Sequence, residues 1–156
     1  MKNIAVIGTG VIGTGWILRF LANGIKVKAF DKNPRQINFL KAEIARTNLI
    51  IKKLYNTKIN FKNLEIVDSI EEAVKNADLI QENVPERLTL KKDVIKNISK
   101  YSPSNSIIAS SSSGLLPSDL QSKCINPKRL IIAHPFNPVY IPVSYTHLRA
   151  HETKAN

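Results

Sequence analysis

Residues 8–15 read GTGVIGTG, and this stretch decides the fold. Four of the six glycines in the 156-residue chain lie within it. The apolar run at residues 4–7 predicts a buried parallel strand before the glycines. Apolar residues at helical spacing over 11–23, closed by Asn-Gly, predict a helix after them. The chain therefore opens with a strand, a glycine-rich turn and a helix.

Three of these glycines have the spacing G-x-G-x-x-G, which is typical of dinucleotide-binding turns. Gly8 allows the tight turn, Gly10 lets a pyrophosphate approach the backbone, and Gly13 lets the helix pack closely on the strand. The helix N-terminus, at Val11 and Ile12, offers free amide groups and the positive end of a dipole to the phosphates.

A second strand, predicted over residues 25–30, ends at Asp31, 18 residues after Gly13. A carboxylate at this place accepts hydrogen bonds from the adenosine ribose and repels a 2′-phosphate, so it favours NAD over NADP. Lys32 and Arg35 stand nearby and weaken that preference. An FAD or nucleotide-sugar site, or a glycine turn without a nucleotide, remain the alternatives at this point.

Strand and helix patterns alternate through the rest of the chain. This alternation predicts a doubly wound, Rossmann-type α/β fold with a mostly parallel sheet, formed by one domain over residues 1–142. Ser69 and Glu72 have the spacing of a capping box at one helix start. The further strands are predicted at 64–67, 78–82, 106–109 and 129–133, and the further helices at 34–56, 69–77, 88–100 and 117–122.

Composition and charge narrow the class of protein. No apolar run is long enough for a membrane span, so no membrane partner is expected. The formal net charge is +11, but most of the basic residues are scattered lysines, and arginines and aromatic residues do not interleave, so no nucleic-acid partner is expected. Cys124, the single cysteine, cannot form an internal disulfide, and we expect a cytoplasmic protein.

Polar residues follow three of the predicted strands, at 82–86, 110–113 and 134–138. Ligands of open α/β sheets bind at the carboxyl ends of the strands, so we expect these groups to face the same crevice as the glycine turn. Taken alone, His134 or a serine run is more often structural. Their convergence over a dinucleotide site favours an acid/base role for His134.

Four stretches together resemble the NAD-binding domain of the L-3-hydroxyacyl-CoA dehydrogenase family: GTGVIGTGW, QENVPERLTLKK, IASSSSGLLPSDL and AHPFNPVY. The resemblance covers residues 3–142. It implies NAD-dependent oxidation of the 3-hydroxyl of a small 3-hydroxy acid. The residues of the serine run and of HPFNPVY favour L-carnitine as the substrate, with L-gulonate and 3-hydroxybutyryl-CoA as alternatives.

The resemblance also implies roles for single residues. His134 would be the general base that takes the proton of the substrate hydroxyl. Ser113, 21 residues before it, would hydrogen-bond the reacting oxygen and contact the cofactor. Glu86, Lys91 and Asn137 would lie along the NAD site. No metal ligands are implied, and the whole enzyme would be a homodimer.

A lysine that grips CoA in acyl-CoA relatives would fall near Leu54, with Lys52 and Lys53 beside it. Because Leu54 rather than a lysine falls near this position, the alignment weakly disfavours a CoA substrate.

The last stretch, VSYTHLRAHETKAN at 143–156, departs from the family pattern and resembles translated adapter read-through. Thr146 stands where the family has a catalytic glutamate, and the nearest carboxylate is Glu152. His147 and His151 lack the order of a metal motif. The family's helical C-terminal domain does not follow. We therefore expect a disordered polar tail, and the chain by itself to be a non-catalytic NAD-binding module.

Overall fold

The fold comes from a computed structural model, which describes residues 3–141. Six strands and five α-helices alternate along the chain. The strands are β1 (Asn3–Ile7), β2 (Lys26–Phe30), β3 (Leu64–Ile66), β4 (Leu79–Glu82), β5 (Ile107–Ser110) and β6 (Leu130–Ile132). The helices are α1 (Val11–Ala22), α2 (Pro34–Tyr55), α3 (Ile70–Val74), α4 (Leu88–Tyr101) and α5 (Pro117–Gln121).

The six strands form one sheet in the order β3-β2-β1-β4-β5-β6, and all five neighbouring pairs are parallel. This order is that of a doubly wound dinucleotide-binding sheet, with the reversal of strand order between β1 and β4. The predicted fold class is confirmed. The carboxyl ends of β1, β4 and β5 are neighbours, so the loops that follow them share one edge of the sheet.

The core has two layers because successive side chains of a strand point to opposite faces of the sheet. In β1, Ile4 and Val6 pack towards α1 and α2, whereas Ala5 and Ile7 pack in a second cluster with α3, α4 and α5. All four are at most 2% exposed. Burial on both faces explains why β1 reads as a continuous apolar run rather than an alternating one.

Most element boundaries lie within two residues of those predicted, and the largest difference is in α3. Ser69 caps this helix as predicted, because its Oγ accepts from the Glu72 amide at 3.1 Å. The helix ends at Val74, three residues before the predicted end. A turn then leads to Asp78, whose carboxylate accepts from the Asn3 amide at 3.0 Å and fixes the start of β4 beside β1.

The longest helix, α2, has clear stop and start signals. The Asn33 side chain accepts from the Arg35 amide, Pro34 occupies the first turn, and Asn56 ends the helix in the left-handed region at φ 49°.

Trp16 of α1 stacks on Phe20, with 5.4 Å between the ring centroids, and is half-buried against the core. Within residues 3–141, no helix combines the length and apolarity needed to cross a membrane.

Candidate cofactor and active site

The three glycines of the fingerprint do three different jobs in the structure. Gly8 has a φ of +90°, and a Cβ there would lie 2.9 Å from backbone atoms of Asn83. A Cβ on Gly13 would lie 1.9 Å from the Gly8 carbonyl oxygen, so no side chain fits between α1 and the turn. A Cβ on Gly10 meets nothing closer than Gln36 Oε1 at 3.8 Å. Gly10 therefore leaves open space above the turn, which a phosphate can approach.

The N-terminus of α1 is available to an anion. No side chain caps it, and its first turn contains no acidic residue. The first amides belong to Val11, which is 56% exposed, and to the half-buried Ile12. Free amides and the positive dipole end make such a helix start a phosphate-binding site.

Asp31 lies at the end of β2 and ties it to the glycine turn. Its Oδ2 accepts from the Thr9 amide at 2.7 Å, and its Oδ1 accepts from the Asn33 amide at 2.8 Å. Two carboxylate oxygens have about four lone-pair sites, so acceptor capacity remains for ribose hydroxyls. Asp31 is only partly buried and lines the main cavity of this edge.

That cavity measures about 560 Å³ and lies between the glycine turn, the end of β2 and the start of α4. Its wall contains polar groups near the turn, among them Gly10, Asp31 and Gln36, and apolar groups such as Ile70 and Val94. An apolar slot beside a carboxylate and a phosphate-binding turn matches the shape and chemistry of an adenosine diphosphate.

The serine run after β5 folds around the carboxylate of Glu86. Glu86 Oε1 accepts from Ser112 Oγ at 2.5 Å, from the Ser113 amide at 2.9 Å and from the Gly114 amide at 3.1 Å. Ser110 and Ser112 are buried, whereas the Ser113 side chain is exposed. Ser113 is therefore exposed to solvent, while the side chain of Ser112 holds the loop on Glu86.

Burial alone would raise the pKa of Glu86. The hydrogen bonds from Ser112, Gly114 and Ser113, together with the charge of Lys91, outweigh burial and lower the pKa to about 2 from its ordinary 4.5. Glu86 is thus a fixed anion at neutral pH.

This lowered pKa predicts an acid-dependent share of stability. A carboxyl with a depressed pKa in the folded state stabilises the protein above its unfolded pKa, and the contribution is lost as pH falls from about 4.5 to about 2. We expect Glu86→Gln to be less stable than wild type at pH 7. The difference in unfolding free energy should shrink steadily below pH 4.5. Urea unfolding at pH 7, 4 and 3 measures it, and a difference independent of pH would contradict the assignment.

Lys91 is buried in an ion pair with Glu82. It is 1% exposed, and its Nζ donates to both carboxylate oxygens of Glu82, at 2.9 and 3.0 Å. A longer ion pair of 3.5 Å joins it to Glu86. Of the predicted cofactor residues, Lys91 is the one whose side chain the structure buries completely.

His134 follows β6 and is exposed. Its Nδ1 lies 3.1 Å from the carbonyl oxygen of Ser111. Because a carbonyl only accepts hydrogen bonds, Nδ1 carries the hydrogen in this arrangement, and in the neutral ring Nε2 is the nitrogen with the free lone pair. The ring is thereby held against the serine run at Ser111.

The loop after His134 is fastened to the first two helices. The Tyr55 hydroxyl donates to the Tyr140 carbonyl at 2.8 Å, and Arg19 Nη1 donates to the Val139 carbonyl at 3.3 Å. A Cβ on Gly15 would lie 2.8 Å from Val139 Cβ, so the fourth glycine of the turn is needed for this loop to pack on α1.

The same loop brings Asn137 to the start of α1. Asn137 and Val11 line one cavity of about 170 Å³, together with Phe39, Tyr140 and others. Asn137, which belongs to the polar group at 134–138, therefore lies beside the start of α1. Within residues 3–141, no three histidine, cysteine or acidic side chains come together as metal ligands.

Comparison with known proteins supports the fold and the cofactor. Residues 3–143 match the family model for the NAD-binding domain of 3-hydroxyacyl-CoA dehydrogenase. The chain belongs to this family. The L-carnitine dehydrogenase of Oceanobacillus iheyensis is 52% identical over 145 residues, which is 90% of this chain and 46% of that protein. This chain spans under half the length of such curated relatives.

Two solved structures of dehydrogenases share the fold. An FHMPC 5-dehydrogenase, described as an NAD+-dependent dismutase, superposes with a TM-score of 0.82 at 31% identity, over 90% of this chain and 46% of its own. The 3-hydroxybutyryl-CoA dehydrogenase of Escherichia coli K12 superposes with a TM-score of 0.80 at 26% identity, over 88% of this chain and 30% of its own. The cofactor of this domain family is NAD, and the open cradle over Gly10 and the uncapped α1 fit it.

The cradle over Gly10 gives a direct prediction. Gly10 has a φ of −63°, which alanine adopts, and its Cβ would point into open space. We expect Gly10→Ala to change the unfolding free energy by no more than about 1 kcal/mol. It should weaken NADH binding by about tenfold or more, because the methyl group occupies the place of the pyrophosphate. Fluorescence titration with NADH measures the loss, and unchanged affinity would place the phosphates elsewhere.

Several predicted features lie outside the described residues, namely the position of Thr146, the carboxylate of Glu152, the pair His147 and His151, and the start of the tail at 143. The sequence pattern indicated no role for two residues of the site, Thr9, which links the turn to Asp31, and Gly15, which packs against Val139. Glu82 was predicted among the polar residues that face the crevice, whereas the structure buries its carboxylate against Lys91. For Gly15 the signal was present, as a fourth clustered glycine.

Proposed function

We propose that this domain serves an NAD-dependent dehydrogenase that oxidises the 3-hydroxyl of a small 3-hydroxy acid, with L-carnitine as the substrate. The observation that carries the proposal is the hydrogen bond of the His134 ring to the carbonyl of Ser111, two residues before the exposed Ser113 and at the same sheet edge as the glycine turn. Because the chain covers under half of its relatives' length, the proposal concerns the domain joined to the remaining part.

Binding is divided between two halves of the site. The glycine turn and the α1 amides hold the pyrophosphate, and Asp31 accepts from the adenosine ribose in the larger cavity. Glu86, Ser113 and Asn137 lie towards the nicotinamide half. When bound, NAD supplies the hydride acceptor, and the substrate C3 hydrogen leaves with its electron pair.

His134 accepts the proton that the same reaction releases. Its Nε2 takes the proton of the 3-hydroxyl while the carbon–oxygen double bond forms, and Ser113 donates a hydrogen bond to the reacting oxygen. The Ser111 carbonyl accepts from Nδ1–H and so stabilises the imidazolium that forms. Because His134 is exposed, the proton can then pass to water.

The choice of L-carnitine rests on the relatives, several of which carry the name L-carnitine dehydrogenase at 42–52% identity. A 3-hydroxyacyl-CoA is the second candidate, since the family model and the Escherichia coli structure carry that chemistry in their descriptions.

The test joins residues 1–141 of this chain to the C-terminal remainder of the Oceanobacillus iheyensis enzyme. NADH formation is followed with L-carnitine, D-carnitine, 3-hydroxybutyrate and 3-hydroxybutyryl-CoA. The proposal expects turnover of L-carnitine with a kcat/KM at least about tenfold above that of the other three. Preference for 3-hydroxybutyryl-CoA would replace L-carnitine with the second candidate. Absence of turnover in a chimera that binds NADH would contradict the proposed catalytic site.

A further inference from the structure

A completely buried ion pair lies under the active edge of the sheet. Glu82, the last residue of β4, is 0% exposed, and Lys91, in the first turn of α4, is 1% exposed. The Glu82 carboxylate accepts from Lys91 Nζ with both oxygens, from the Val84 amide at 2.7 Å and from Ser110 Oγ at 2.5 Å. All of its acceptor capacity is used inside the protein.

Stability is a poor explanation for such a pair. Removing two charges from water costs several kcal/mol per ion, and well-packed apolar residues of similar volume are often as stable or more stable. Buried ion pairs are better attested where they fix a particular arrangement. The relevant property of this pair is therefore the arrangement of neighbouring residues that it fixes.

The pair is connected to the ligand-facing surface through Glu86. Lys91 Nζ lies 3.5 Å from Glu86 Oε2, while Glu86 Oε1 holds Ser112 Oγ and the amides of Ser113 and Gly114. Neither Lys91 nor Glu82 lines the two cavities at this edge of the described chain. The connection from Glu82 to the loop of Ser113 therefore runs through protein atoms only.

We propose that Lys91 and Glu82 are positioning residues, which act through Glu86 to set the 112–114 loop and with it Ser113. Lys91 attracts one oxygen of Glu86 towards the core, so that the other oxygen faces the loop amides. The inference rests on the proposed placement of the nicotinamide half beside Ser113.

The experiment measures the affinities of the 156-residue chain for NADH and for ADP, which lacks the nicotinamide riboside half. Lys91→Met keeps the side-chain length and removes the charge. We expect it to weaken NADH binding by about tenfold and ADP binding by less than about twofold. Lys96→Met is the matched control, because it removes the same charge from an exposed position of the same helix, and it should change neither affinity.

A double-mutant cycle with Ser112→Ala separates positioning from contact. Ser112 is 1% exposed and holds the loop on Glu86, so both changes should loosen the same connection. We expect the double variant to bind NADH about as weakly as the weaker single variant. Losses that add fully would mean that Lys91 and Ser112 act independently, and they would overturn the proposal, as would equal weakening of NADH and ADP by Lys91→Met.

Circular dichroism and urea unfolding establish that each variant is folded. If Lys91→Met does not fold, Glu82→Gln takes its place in the cycle, because its carbonyl oxygen still accepts from the Val84 amide and its NH2 group can donate to Ser110 Oγ. The wild-type chain keeps the two proposals apart. If it binds NADH no more tightly than ADP, the placement of the nicotinamide half fails. If it prefers NADH and the Lys91 or Glu82 variant keeps that preference, only the positioning proposal fails.

Discussion

Gly13→Ala is expected to destabilise the domain by about 3 kcal/mol or more, at the upper end of the range for overpacking. The added Cβ would lie 1.9 Å from the Gly8 carbonyl oxygen and 2.9 Å from its carbonyl carbon. Both are backbone atoms in a turn that Asn83 already restrains, so neither can move aside as a flexible side chain would. The helix must shift away from β1, and the phosphate-binding amides shift with it.

Urea unfolding measures this effect, and Gly10→Ala is its matched control. The chemical change is the same and lies three residues earlier, yet there the Cβ meets open space. The two variants should therefore separate stability from binding: Gly13→Ala loses both, whereas Gly10→Ala loses only NADH affinity. Equal stability of the two variants would contradict the packing role assigned to Gly13.

His134→Gln is expected to lower kcat of the chimeric dehydrogenase by at least about 100-fold, the scale of a positioned general base. Glutamine still donates and accepts hydrogen bonds but does not take a proton near neutral pH. NADH affinity should change by less than about twofold, because the histidine acts on the substrate hydroxyl rather than on the cofactor. Pre-steady-state NADH formation, together with a fluorescence titration, separates the two quantities.

Ser111 cannot serve as a control by side-chain replacement, since its backbone carbonyl is the group that orients the imidazole. Retention of the wild-type kcat in His134→Gln would assign the general base to another residue.

The fold could be predicted from the sequence because local patterns and turn chemistry agree. The apolar run of β1, the glycine turn and the helical spacing of α1 each point to the same unit, and the alternation of strands and helices allows few topologies. The predicted element bounds were least accurate at α3, a short helix that is ended by a turn rather than by a change of periodicity.

The candidate site was predicted less completely. The positions of Gly8, Gly10 and Gly13 follow from the backbone, and the structure confirms the steric reasons at Gly8 and Gly13. The direction of the Lys91 side chain could not be predicted from the sequence pattern. Its spacing from Glu86 marks it as part of the site, but only the packing of α4 on β4 shows that its ammonium group points into the core at Glu82.

The central claim is that this chain binds NAD at the glycine turn, with Asp31 on the adenosine ribose. Calorimetric titration of the 156-residue chain with NADH and with NADPH tests it most directly. We expect saturable binding of one NADH per chain and an affinity for NADPH lower by about tenfold or more, because the Asp31 carboxylate repels a 2′-phosphate. No saturable binding of either, or tighter binding of NADPH, would contradict the account.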